Sequence, residues 1–307
     1  MLASHGGLKL KNPTKRLEIT TAYLCLVPSI IGLVFLTYVP LLSVFALSFF
    51  KWGNGAPDPR FIGLENYIRL FTDDPYFLDS IRVTVAFALL AVIGSMVYSL
   101  FVAMLLNRKI PARGFFRAVF YLPYVLPAMA VYIGWAWLYE ANFGLFNYFL
   151  SLIGVEKLKF IADGNLVVPS LALIAVWLSG NLIVIFLAGL QNVPRTYHEA
   201  ALIDGANSFQ RFRHVTVPCM TPIIFYNLLM SLICNMQIVT PALALTNGGP
   251  GNESRFVTYL MYQNAFINNR LGYGSAISFV FFIIIAAFTV VLFVTSKNWI
   301  FYEGDEK

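Results

Sequence analysis

The sequence predicts an all-α membrane protein with six transmembrane helices, and three observations carry that prediction. Hydrophobic residues make up 59% of the 307 residues and charged residues 12%, where a soluble domain carries about 25% charge. Mean hydropathy is +0.72. The apolar residues fall in six charge-free runs, at 19–50, 83–107, 118–139, 164–194, 214–252 and 271–296, and a spanning helix needs about 20 such residues. No series of ten-residue segments alternates in polarity, which excludes a closed barrel, the other structure that can satisfy its backbone in lipid.

The elements follow in chain order. Lys9, Lys11, Lys15 and Arg16 precede the first run. That run is too long for a signal peptide and has no small-residue cleavage site. It reads as an uncleaved first span at 21–50 after a cytoplasmic segment 1–20. An amphipathic outer loop at 51–78 holds Phe61-Ile62-Gly63-Leu64-Glu65-Asn66-Tyr67. A transmembrane core at 79–296 comes next. Its first connection carries Arg108, Lys109, Arg113 and Arg117 and no acid. Trp135, Trp137 and Tyr139 close the third run and read as an interfacial belt.

The apolar stretch 141–155 is short for a span and reads as an interfacial helix on the outer face. The fifth run is expected to hold one span near 218–245, kinked by Pro218, Pro222 and Pro241. A turn-rich loop follows, Asn247-Gly248-Gly249-Pro250-Gly251-Asn252. It is either a bare turn or a contact for an external binding protein. The sixth span is 271–296, and 297–307 is a cytoplasmic tail.

Basic residues set the orientation. The side holding both termini has 13 Lys and Arg against 6 Asp and Glu; the other side has 8 against 9. Both termini are therefore expected in the cytoplasm.

Several function classes are excluded. The net charge of +6 is spread through the gaps between apolar runs, which encodes topology and argues against a nucleic-acid partner. Cys25, Cys219 and Cys234 have no metal-ligand spacing. No glycine is followed by lysine, so no G-x-x-x-x-G-K-[ST] phosphate loop exists to hold a nucleotide. The runs contain no ionisable side chain for proton or sodium coupling except His214 at an edge. No nucleophile–base pair or metal constellation suggests an enzyme. The chain needs no cofactor of its own.

One polar stretch belongs to no span: QNVPRTYHEAALIDGANSFQRFRHVTV, from Gln191. The topology puts it in the cytoplasm. Thr196 with Glu199 three residues on fits a capping box. Gly205 suits the C-terminal turn of that helix, and Ser208 starts a second short one. Val193-Pro194, Tyr197, Glu199-Ala200-Ala201, Asp204-Gly205-Ala206, Phe212, Val215 and Pro218 resemble the EAA loop of ABC importer permeases, in the carbohydrate (maltose/glycerol-phosphate) branch. Val215 departs slightly, standing where that family usually has Ile. Phe61–Tyr67 resembles the outer loop of that branch. Thr246–Pro250, Tyr262, Ala265-Phe266 and Gly272-Tyr273 resemble its last loop and span.

The resemblance implies a type I importer permease fold with the EAA coupling loop at 191–218. Glu199, Ala200, Ala201, Asp204, Gly205, Ala206 and Phe212 would dock in a cleft of a cytoplasmic ATPase dimer, which binds ATP and Mg. A second homologous permease subunit and an extracellular solute-binding protein are the other implied partners, in the multi-pass plasma membrane of a prokaryote. A stand-alone channel or secondary sugar carrier is the alternative.

A sugar path needs polar side chains facing the bundle interior. Asn227, Ser231 and Asn235 recur every four residues on the fifth span, and Trp177 and Asn181 share that spacing on the fourth. Amides, a hydroxyl and an aromatic face suit a sugar, though Asn and Ser also bond between helices. No cation stands among them, which favours a neutral di- or oligosaccharide over a phosphorylated substrate.

Overall fold

A computed structural model describes residues 13–53 and 58–301. Most of the expected segment 1–20 and the end of the tail lie outside those residues. Most of the described chain is helical. Helix α1 (Pro13–Leu33) runs through a π-helical turn (Val34–Tyr38) into α2 (Val39–Leu47). A short hairpin follows, β1 (Phe50–Lys51) antiparallel to β2 (Arg60–Phe61), with Phe50 paired to Phe61. Next come α3 (Glu65–Thr72), α4 (Phe77–Asn107), α5 (Arg113–Val125), α6 (Ala128–Leu138) and α7 (Leu145–Leu152). Then α8 (Gly164–Trp177), α9 (Gly180–Asn192), α10 (Arg195–Ile203) and α11 (Ser208–Arg211) lead through a π turn (Phe212–Thr216) into α12 (Val217–Met236). A π turn (Ala242–Thr246), α13 (Val257–Tyr262), another π turn (Gln263–Ile267) and α14 (Leu271–Ser296) complete the order.

Among the described residues, four helical stretches are long and apolar enough to cross a membrane unbroken: Thr20–Leu47, Phe77–Asn107, Ser208–Met236 and Leu271–Ser296. Two more spans are bent pairs. Arg113–Val125 and Ala128–Leu138 meet at 98°, and Gly164–Trp177 and Gly180–Asn192 at 50°. Counting each pair once gives the expected six.

The sequence does not foresee the two breaks. The first falls at Leu126-Pro127: proline disfavours helical backbone in the residue before it, and Leu126 is extended at φ −69, ψ 146. The second falls at Leu178-Ser179. The fifth span also differs from expectation. It starts at Ser208 and ends at Met236, well short of Leu245, and Pro241 heads the separate turn beyond it.

Helix α4 is the hub. Its residues Ala88, Ala91, Ser95, Ser99 and Ala103 are 2% exposed or less, and they recur at three- and four-residue steps. Small side chains let helices approach closely where lipid supplies no hydrophobic drive between them. Around α4 lie three apolar clusters. Phe87 packs with Tyr132, Tyr139, Leu171 and Phe256. Phe77 and Ala88 pack with Met236, Tyr273 and Ile277. Val102 and Leu106 pack with Ile183, Phe186 and Met220.

The first span is different: none of its most apolar window is buried inside the chain. Its C-terminal end is tied down by the Phe61–Tyr67 stretch. Asn66 Nδ2 donates to the Ser48 carbonyl (2.8 Å) and the Phe50 carbonyl (3.1 Å), and the Tyr67 hydroxyl bonds Ser48 Oγ.

The apolar 141–155 stretch forms α7, with Phe143, Leu145, Tyr148, Phe149 and Leu152 exposed. Its entry turn is held by Glu140, whose carboxylate accepts from the Asn142 and Phe143 backbone. Those donors hold the carboxyl below the usual carboxylate range. The expected aromatic belt is only partly one. Trp137 is 71% exposed, but Tyr139 is buried and donates to the Ser170 carbonyl at 2.8 Å. Beyond α14 the chain turns back, and the Phe301 amide donates to Thr221 Oγ1 of α12 at 2.8 Å.

Candidate functional site

A cavity of about 680 Å³ opens between α4, α5, α6, α9 and α12. Ser231 and Asn235 of α12 and Asn181 of α9 line it, as expected from sequence. Asn235 Nδ2 donates to the Ser231 carbonyl (2.8 Å) and Ser231 Oγ (3.2 Å). Among the described hydrogen bonds its Oδ1 takes no donor, so it is free to accept from a ligand hydroxyl. Ser95 and Ser179 add hydroxyls to the wall. Four tyrosines that sequence reasoning missed, Tyr121, Tyr124, Tyr132 and Tyr226, also line it. Tyr121 and Tyr124 have ring centroids 5.7 Å apart. No Asp, Glu, Lys, Arg or His is among the lining residues.

Two expected residues stand elsewhere. Trp177 is not on the cavity wall; its ring meets Trp135 edge-on at 5.7 Å. The four-residue spacing to Asn181 implies a shared face only along one helix, and the bend between them cancels it. Asn227 is fully buried and outside the cavity lining, and neither amide atom finds a partner. Eight residues at 3.6 per turn rotate it about 80° from Asn235, off the cavity face.

The bend itself is built by close contact. Ser99 Oγ lies 2.9 Å from Ser179 Oγ and 3.3 Å from the Ser179 carbonyl, so α4 satisfies backbone freed by the break. A Cβ at Gly180 would come within 2.7 Å of the Phe120 carbonyl. Glycine there lets α5 pass against the start of α9, which brings Tyr121 and Asn181 to the same cavity.

The polar stretch forms the two short helices expected, α10 and α11. The cap differs. Pro194, at φ −59 and ψ 131, is the N-cap of α10 and no side chain caps it. Thr196 therefore falls inside the first turn, and the Thr196–Glu199 box does not form. The capping box sits one helix later: Asn207 Oδ1 accepts from the Gln210 amide (2.9 Å), and Gln210 Oε1 accepts from the Asn207 amide (2.8 Å).

Gly205 lies at φ +78. The Ala206 amide donates to the Ala201 carbonyl (2.9 Å) and the Gly205 amide to the Leu202 carbonyl (3.1 Å). This is a complete Schellman turn. Glu199, Ala200, Asp204 and Gly205 are exposed, while Ala201, Ala206 and Phe212 are half-buried. Ile203 is 87% and Phe209 68% exposed. These two were not singled out from sequence; apolar side chains inside a polar stretch were the available signal. Together the elements make an exposed knob of two helices with an apolar tip and a carboxylate rim.

Residues 92–301 match the family described as "binding-protein-dependent transport system inner membrane component". The chain is 35% identical to the probable ABC transporter permease protein YesP of Bacillus subtilis, covering 97% of each chain. It is 29% identical to the trehalose/maltose transport system permease protein MalF of Thermococcus litoralis, over 92% of this chain and 95% of that one. It is 34% identical to the multiple sugar-binding transport system permease protein MsmF of Streptococcus mutans, over 89% and 94%. In fold it is similar to a chain from the crystal structure of a bacterial ABC transporter involved in the import of the acidic polysaccharide alginate. The TM-score is 0.79 at 19% identity, covering 93% and 98%.

Proposed function

The chain belongs to the family of binding-protein-dependent transport system inner membrane components, and we propose that it forms half of the path by which an ATP-driven importer takes up a neutral di- or oligosaccharide. As a permease subunit it is a transport component of the plasma membrane and not an enzyme. Relatives named for sugar transport support the carbohydrate class.

The observation that carries the finer reading is the uncharged cavity of tyrosines, Asn181, Ser231 and Asn235. Aromatic rings stack on sugar faces, amides and hydroxyls bond ring hydroxyls, and no cation is present to reward an anionic substrate. The knob of α10 and α11 would dock in a separate ATPase dimer that binds ATP and Mg. Ala200, Ala201 and Gly205 permit close backbone approach there, and Glu199 and Asp204 offer charge. One knob per chain and two ATPase protomers require a second permease subunit of similar fold. An external binding protein would deliver the sugar, and both termini would lie in the cytoplasm.

The test is uptake by the complete assembly reconstituted in vesicles, compared with this chain alone. Uptake is expected only with the ATPase and ATP. Transport by the chain alone would establish the stand-alone carrier instead. Within the assembly, Asn235→Ala removes one neutral hydrogen bond, worth about 0.5–1.5 kcal/mol, so KM for the saccharide should rise about 2–10-fold. ATPase stimulation by the liganded binding protein should persist. Unchanged uptake kinetics would remove Asn235 from the path.

A further inference from the structure

Away from the cavity and the knob, three span ends meet over a pair of arginines. Arg113 begins α5, Asn107 ends α4 and Gln191 lies in the last turn of α9. With the Gln191 amide assigned so that its oxygen faces the two donors, Oε1 accepts from Arg113 Nη2 and Arg117 Nη2, at 3.0 Å each. Arg113 also donates to the Leu106 carbonyl (2.5 Å) and reaches Asn107 Oδ1 (3.5 Å). Arg117 Nε is buried with no partner. Among the described residues, then, two guanidiniums converge on one neutral amide oxygen, and no carboxylate joins them.

The helix ends account for part of this. Each helix C-terminus presents roughly half a negative charge, so α4 and α9 together offset about one of the two positive charges. The N-terminus of α5, where Arg113 stands, adds about half a positive charge, so about one and a half are left over, beside exposed Arg108 and Lys109. Gln191 is itself exposed, so the convergence point is open from outside. On the same helix start, Phe115 and Phe116 are exposed, with rings 5.7 Å apart.

We propose that Arg113, Arg117 and Gln191 form a binding site for the phosphate of an anionic membrane phospholipid, whose acyl chains lie along Phe115 and Phe116. The site stands at the end of the apolar spans, where a headgroup phosphate lies. Basic pockets between helices at that depth hold acidic headgroups. The leftover positive charge suits an anionic phosphodiester. The bound lipid would tie the ends of α4, α5 and α9 together just before the chain enters α10.

The full chain, purified in detergent, is titrated with phosphatidylglycerol and separately with phosphatidylcholine. Bound lipid is counted by native mass spectrometry. Two guanidiniums near a headgroup predict a preference of about 30-fold for phosphatidylglycerol.

Gln191→Glu is the decisive variant. It places a carboxylate where the anion would sit, so the preference should fall at least about tenfold while the thermal midpoint in phosphatidylcholine stays level or rises. Arg113→Gln/Arg117→Gln should lose the preference as well; if that variant does not fold, Gln191→Glu decides alone. Equal binding of the two lipids overturns the proposal, as does a preference untouched by Gln191→Glu. Displacement of the lipid by an equal concentration of inorganic phosphate would show a site for free anions and overturn the lipid assignment.

Discussion

Replacing Gly205 separates the shape of the knob from its chemistry. The residue sits at φ +78 and is exposed, and a Cβ there would meet nothing within 4 Å. Substitution therefore costs backbone strain and no packing. An L-residue in left-handed backbone costs about 1–2 kcal/mol. The two Schellman bonds that oppose the strain contribute about 1–3 kcal/mol together. In Gly205→Ala the terms nearly balance, and the bent turn drops from dominant to roughly half to three-quarters populated. Docking weakened by that fraction should reduce coupled uptake by about 1.3- to 2-fold. Asn tolerates this region better and should stay close to wild type. Pro at 205 cannot adopt φ +78 and removes the amide bonded to Leu202, so uptake should fall more than about tenfold. The assay is sugar uptake and stimulated ATP hydrolysis by the reconstituted assembly, normalised to chain in the membrane. The expected order is Gly, Asn, Ala, Pro. Full uptake with Gly205→Pro, or Ala as poor as Pro, would refute the argument.

Three further outcomes follow from the structure. Ser99→Ala removes the buried bond to Ser179 and should cost about 1 kcal/mol, read as a thermal midpoint lower by a few degrees; an unchanged midpoint would deny that the bond holds the bend. Cys234 is exposed and lines the cavity. In a background with Cys25→Ser and Cys219→Ser, its alkylation by a maleimide should slow when the transported saccharide is present, and a rate indifferent to sugar would put substrate elsewhere. Trp177→Phe keeps an aromatic edge against Trp135 and lies off the cavity wall, so KM should change less than about twofold; a tenfold rise would return Trp177 to the path.

The six spans were legible because lipid forbids charge over a long run, and that pattern survives any internal rearrangement. The two breaks were not, because bending a helix within an apolar run changes no charge. Pro127 and the Ser179-Gly180 pair were the only local hints. The same blindness misplaced Trp177. Its spacing to Asn181 assumed one helix, and the bend at Ser179 turned the ring toward Trp135.

Asn227 failed for a smaller reason: a four-residue repeat drifts around a helix, and two steps carried it off the face that Asn235 holds. The tyrosines escaped notice because an aromatic residue in an apolar run resembles core until its neighbours are known. In the knob, the bend at Gly205 was readable from one residue. The start of α10 was not, because Pro194 ends the extended backbone two residues before Thr196 and takes the capping position.

The stretch Ser208–Met236 is one unbroken helix, with the knob at one end and Ser231 and Asn235 near the other. From Ser208 to Asn235 it is a strut about 40 Å long at 1.5 Å per residue. Rocking such a strut by about 5° about either end displaces the opposite end by about 3.5 Å, comparable to the width of a sugar ring's contact. A small rotation imposed at the knob end would thus be enough to open or pinch the cavity wall, with no residue between them changing its own conformation. The gain of the machine is set by helix length, and inserting or deleting a turn between Thr216 and Asn227 would retune it.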